Sequence, residues 1–98
     1  MCELIAIKQK HLEEWSENYF SMPNLTRAQE AGAAVRAAIV AGWFASPKAE
    51  YIPGDGNGTP DKYLYDGVDV GDMEPWQVIQ ISQAVDAKYT EVTTIPKN

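Results

Sequence analysis

The stretch "TRAQEAGAAVRAAIVAGWF", residues 26–44, constrains this chain more than any other. It opens on a capping box. The Thr26 hydroxyl can accept from the third helical N–H, and Gln29 can reach back to the Thr26 backbone. Alanine-rich turns of high helix propensity follow. Ala28, Ala31, Val35, Ile39 and Trp43 form an apolar stripe. Beside it, Ala34, Ala38 and Gly42 recur at every fourth position and leave a thin side-chain layer, so that another helix can pack closely there. Gly32 costs about 1 kcal/mol against alanine unless something packs on it. The spacing predicts one long helix over 26–44, ended by "ASP".

Around this helix the chain has two further helical patterns. "KQKHLEEWSENYFSM" places Leu12, Trp15 and Tyr19 at spacings of three and four, with Glu13, Glu14 and Glu17 on the other face, and predicts a helix over 8–21. The preceding "ELIAI" lacks a clean period and fits either a short strand or the first turns of that helix. Pro23 in "SMPNL" interrupts the pattern. A last helix is expected over 73–89, with Asp72 as its cap, Pro75 in its first turn and Val78, Ile81, Val85 and Tyr89 as its buried stripe. Residues 90–98 read as a tail. Trp15, Trp43 and Trp76 fall one per helix, which predicts a core shared by the three.

Between the second and last helices, "AEYI" and "KYLYD" alternate in side-chain type on either side of a glycine-rich segment. Residues 49–66 therefore read as a hairpin. The fold class is mainly α within α+β: a three-helix domain with a small β-hairpin inserted before the last helix. Its 98 residues make a single domain that buries somewhat over ~60% of its unfolded surface.

The hairpin segment "PGDGNGTPDKYLYD" begins like a calcium loop. Numbered from Asp55, the ligand positions of such a loop fall on Asp55, Asn57, Thr59, Asp61, Tyr63 and Asp66. Its sixth position is Pro60, which cannot take the left-handed turn required there, and no helix leads in. A mobile turn between tyrosine-bearing arms fits better than a metal site. Other chemistry is sparse. His11 is the single histidine, on a glutamate-rich helix, and Cys2 the single cysteine, so zinc-ligand spacing and a Ser or Cys nucleophile beside a base are both missing. Gly54, Gly56 and Gly58 lack the following helix of a phosphate-binding loop. No enzyme, no cofactor and no metal are expected.

Charge is unevenly spread. The net charge is −6. Residues 1–49 carry five acids and five bases, whereas residues 50–98 carry nine acids and three bases. Such a field repels nucleic-acid backbones and anionic lipid and favours a basic partner. Direct nucleic-acid binding is not expected. Exposed tyrosines beside aspartates are typical of protein-binding surfaces. Tyr51, Tyr63, Tyr65, Asp66, Asp69 and Asp72 are thus the candidate protein-binding residues. The spacing of Asp66, Asp69 and Asp72 gives a modest hint of a DNA mimic, although every third residue alternates faces on an extended chain. The longest apolar run, "AAIVAGWF", is far short of the ~20 residues that span a membrane. No cationic leader with an apolar stretch is evident, and a lone cysteine suits a reducing compartment, so a cytoplasmic location is expected.

The succession "VRAAIVAGWF", an acidic spacer, "VGDMEPWQVIQISQAVDAKYTEV" and a closing "IPKN" resembles small proteins of phage and prophage tail modules, tail assembly chaperones among them. The likeness covers roughly residues 35–98. It implies a small, mainly helical cytoplasmic protein without a cofactor. Such a protein binds the tape-measure protein during tail building, recruits tail-tube subunits and does not remain in the virion. The hairpin is a departure from that layout. Two rival expectations are a host-directed inhibitor, such as an anti-defence protein, that presses its acidic surface on a basic nucleic-acid-binding site, and a subunit that stays in the particle. Self-association is left open.

Overall fold

The computed structural model describes residues 2–21 and 25–96. In chain order the elements are β1 (Glu3–Leu4), α1 (Gln9–Phe20), α2 (Arg27–Val40), β2 (Phe44–Ser46), β3 (Ala49–Ile52), β4 (Lys62–Tyr65), β5 (Val68–Asp69), a 3₁₀ turn (Val70–Asp72) and α3 (Pro75–Thr93). β1 pairs antiparallel with β2, and β3, β4 and β5 form a separate antiparallel sheet in that order. The three-helix α+β architecture with strands ahead of the last helix is the one the sequence predicts.

α2 is the centre of the fold, with α1 and α3 packed against it and the small sheet alongside. Its capping box forms as read: Gln29 N–H donates to Thr26 Oγ1 at 3.3 Å, and Thr26 N–H donates to Gln29 Oε1 at 3.0 Å. The helix stops at Val40, four residues before the expected end. Gly42 adopts a left-handed φ of +73°, its N–H donates to the Ile39 carbonyl at 3.1 Å, and Trp43 N–H donates to the Ala38 carbonyl at 2.9 Å. That pair of bonds is a Schellman ending, so Gly42 terminates the helix instead of extending its small-residue stripe. Ala28, at the other end of the expected stripe, is exposed. Gly32 does have a packing reason. A Cβ there would lie 3.1 Å from Arg36 Nη1, whose guanidinium folds back over the glycine and reaches the Tyr63 ring at 5.8 Å.

The alanine layer is filled by aromatic rings. Trp15 and Trp43 stack with centroids 5.5 Å apart, and Tyr19 and Tyr89 pack on Trp15 at 4.9 and 5.2 Å. These rings sit on Ala34, Ala37, Ala38 and Ala41, with Val85 closing the cluster from α3. Each buried indole N–H finds an acceptor, as burial demands. Trp15 Nε1 donates to the Ala34 carbonyl at 3.1 Å, and Trp43 Nε1 to the His11 carbonyl at 3.0 Å. A second cluster on α2, Val35 and Ile39 with Val70, Val78 and Ile81, is roofed by Tyr63, Tyr65 and Phe44.

Of the two readings open for "ELIAI", the structure takes the strand: Ile5 N–H donates to the Trp43 carbonyl at 2.9 Å, continuing the β1–β2 pairing. Other expectations need correction. α1 starts one residue later than expected, where Lys8 N–H donates to His11 Nδ1 at 3.0 Å. α3 is capped by Glu74 and not by Asp72, with Glu74 N–H donating to Gln77 Oε1 at 3.2 Å. It also runs on to Thr93, because half-buried Tyr89 and Val92 keep an apolar face inward and Lys88 pairs with Glu91 at 3.0 Å. The expected tail is therefore helical over its first turn. Trp76 lies outside the core, 59% exposed, because it shares a face with Gln80 and Gln83 and not with the Val78–Ile81–Val85 stripe.

Candidate functional site

The hairpin is three-stranded because "YDGV" is a turn. Asp66 and Gly67 both have positive φ, +54° and +81°, and Tyr65 pairs with Val68 across them. Asp-Gly at such a pair of positions favours the two-residue turn whose twist matches the strands. The other connection, residues 53–61, is organised by its aspartates. Asp55 accepts from Asn57 N–H at 2.7 Å, from Thr59 N–H at 3.2 Å and from the Thr59 hydroxyl at 3.1 Å. The Asn57 and Thr59 donors hold its carboxyl below the ordinary aspartate range. Asp61 accepts from Gly54 N–H at 2.6 Å and from the Tyr51 hydroxyl at 3.1 Å. The segment is thus a hydrogen-bonded turn whose carboxylates take protein donors. Among the described residues no group of three His, Cys, Asp or Glu side chains converges as metal ligands would.

Register puts Tyr51, Tyr63 and Tyr65 on one face of the sheet, but in different surroundings. Tyr51 lies opposite Tyr63 with the rings stacked at 5.0 Å. Tyr51 is exposed, whereas Tyr63 is half-buried beneath the Arg36 guanidinium. Tyr65 is half-buried, edge-on to Phe44 at 5.3 Å. Burial, the adjoining Cys2 thiol and Asp66 raise its phenol to about 12, so its hydroxyl stays protonated across the physiological range.

The three candidate acids separate in the same way. Asp66 occupies the turn. Asp69 points inward, accepting from Tyr63 N–H at 3.3 Å and from Gly71 N–H at 2.8 Å. Asp72 is exposed on the 3₁₀ turn. They do not form a row, and two of the three have local structural roles.

Alongside Tyr65 the structure opens a groove of about 550 Å³ that the sequence reading missed. It is lined by Trp76, Gln80 and Ile81 of α3, by Met73 just ahead of that helix, by Tyr65 of β4 and by Cys2. Apolar surface dominates the groove, and glutamines of α3 are part of its lining. The volume is within the range of ligand and peptide clefts. The available signal was the offset of Trp76 from the Val78–Ile81–Val85 stripe, which places a large indole on the face that the helix does not bury. The exposed Ile79 (47%) and Val68 (45%) are further apolar surface on the same half of the chain.

No described helix is long and apolar enough to cross a membrane. No protein-family model matches the chain, and neither does any curated protein or any solved structure.

Proposed function

We propose that this is a non-enzymatic protein-binding factor of the phage type, acting in the host cytoplasm as a tail assembly chaperone for tape-measure and tail-tube proteins. The class comes from the resemblance of residues 35–98 to tail-module proteins. The observation that carries protein binding is the groove beside Trp76, whose 59% exposed indole is the kind of side chain that anchors interfaces. Co-purification of the tagged chain with the tape-measure and tail-tube proteins encoded beside it tests the reading. Capture of either supports it, and capture of neither rejects it.

A second reading, a host-directed inhibitor, draws on the acids of residues 50–98, which carry the whole net charge of −6. It requires salt-sensitive competition with nucleic acid for a host protein. Because Asp69 is turned inward, Asp66 and Asp72 are the positions at which charge reversal would weaken that competition.

A further inference from the structure

The turn between β3 and β4, residues 53–61, holds a chemistry that needs no second molecule but water. Asn57 is followed there by Gly58, and both are exposed. Asparagine is thermolabile because the next backbone nitrogen can attack its side chain. That attack needs a carboxamide free to rotate, an N–H not held elsewhere, and no side chain over the nitrogen. The turn supplies all three. Among the described residues neither the Asn57 carboxamide nor the Gly58 N–H makes a hydrogen bond, although the N–H groups on either side, of Asn57 and Thr59, both donate to Asp55. Gly58 has no Cβ to shield its nitrogen, and nothing lies within 4 Å of where a Cβ would stand. Other positions lack one or more of these conditions. Asn18 lies inside α1, where its Nδ2 donates to the Glu14 carbonyl at 2.8 Å and the N–H of Tyr19 belongs to the helix ladder. Asp55 and Asp66 are also followed by glycine, but a carboxylate is a far poorer electrophile than an amide. Asp55 is held in that ionised form by the donors from Asn57 and Thr59.

We propose that Asn57 is a site of spontaneous modification, converted through a cyclic imide with Gly58 to aspartate and isoaspartate. The Gly58 nitrogen attacks Asn57 Cγ and forms the N–Cγ bond. The Cγ–Nδ2 bond breaks, the Gly58 amide proton passes to the departing nitrogen, and ammonia leaves. Water then opens the ring. Addition at Cγ restores the ordinary main chain with aspartate at 57. Addition at the Asn57 backbone carbonyl leaves the main chain running through the side chain as isoaspartate. Water is consumed, ammonia is released, and nothing is oxidised or reduced. Either product adds a negative charge to the half of the chain that already carries the whole −6. Isoaspartate also inserts a methylene between the two N–H groups that Asp55 holds, so that carboxylate cannot keep both in the present geometry. The site does not depend on what the groove or the acidic face binds.

The test incubates the full chain, and separately the free peptide "PGDGNGTPDK", in mildly alkaline buffer and samples both over time. Isoelectric focusing is expected to show a more acidic form of the chain accumulating. Peptide mapping by mass spectrometry is expected to place the change at Asn57, as both aspartate and isoaspartate, and not at Asn18. Because an exposed turn opens locally at almost no cost, the folded chain is expected to convert within about tenfold of the peptide's rate. Asn57→Gln, whose ring would need six members, is expected to stay in a single form over the same period. Asn57→Asp is expected to focus with the acidic form from the outset. Residue 57 is exposed, so both variants keep the fold, which circular dichroism verifies. A folded chain that stays in a single form, or is protected more than about tenfold relative to the peptide, overturns the proposal, because the Gly58 N–H would then be held. An acidic form that persists in Asn57→Gln, or conversion at Asn18 ahead of Asn57, overturns it as well.

Discussion

Trp43 Nε1 donates to the carbonyl of His11 at 3.0 Å, joining residues 32 apart in sequence. The ring is fully buried between α1 and α2, so one side chain supplies both packing and a hydrogen bond to a carbonyl in the first turn of α1. Trp43→Phe removes the N–H and part of the ring, leaving a cavity and one hydrogen bond fewer between α1 and the end of α2. A loss of about 2–4 kcal/mol is expected, combining the cavity with the lost hydrogen bond. Thr26→Ala, which removes only a cap on the exposed end of α2, is expected to lose about 1 kcal/mol. Urea unfolding of the two variants measures the contrast.

The helices were legible because their signals are local: the Thr26–Gln29 box, the 3.6-residue stripes and Pro75 are each contained within a turn or two. The ends were less so. Gly42 reads equally as a member of a small-residue stripe and as a left-handed stop, and only the Trp43 N–H reaching back to Ala38 distinguishes them. "YDGV" carries a strong hairpin signal that was absorbed into the end of the preceding strand. The groove was not legible. It arises where Cys2, Tyr65 and Trp76 meet, and no local pattern encodes that meeting. The same limit applies to the three aspartates, equivalent as charges in the sequence and different once Asp69 turns inward.

Gly42 allows a separate test of the helix ending. Nothing lies within 4 Å of where its Cβ would be, so substitution meets no clash and only its φ of +73° resists a side chain. Gly42→Ala is expected to cost about 1–2 kcal/mol and Gly42→Asn less, because asparagine tolerates the left-handed region. Thermal denaturation of the pair measures it. At about 4–8 °C of midpoint per kcal/mol for a chain of this size, both the loss and the ranking are readable. Equal midpoints for the two would show that the left-handed turn does not control the ending.

Asp69 and Asp72 are expected to separate in a stability measurement. Asp69 accepts two backbone N–H groups, from Tyr63 and Gly71, and so ties β4 to the 3₁₀ turn. Asp69→Ala leaves both donors without that partner and is expected to lose about 1–3 kcal/mol. Asp72→Ala, on an exposed side chain, is expected to stay within about 0.5 kcal/mol of wild type. Chemical denaturation of both variants decides whether the inward carboxylate is a structural group or an interchangeable surface charge.

The phenol of Tyr65 gives the fold a signature at high pH. Burial first, then the Cys2 thiol and Asp66, raise it to about 12, against an ordinary tyrosine value of 10.0. Because the folded value lies above the unfolded one, the protonated phenol favours the folded state, and that contribution is complete below about pH 10. It is lost as pH rises from about 10 to 12, where the unfolded chain releases the proton and the folded chain retains it. Ultraviolet titration of tyrosinate is therefore expected to show one component near 12 in the native protein. In Tyr65→Phe that component is expected to vanish, and the decline in stability over the same window to become shallower. Cys2→Ala removes one of the raising groups next to the phenol and is expected to move the component downward without abolishing it. A titration of Tyr65 at the ordinary value in the wild type would mean that its hydroxyl is open to solvent and does not belong to the groove wall.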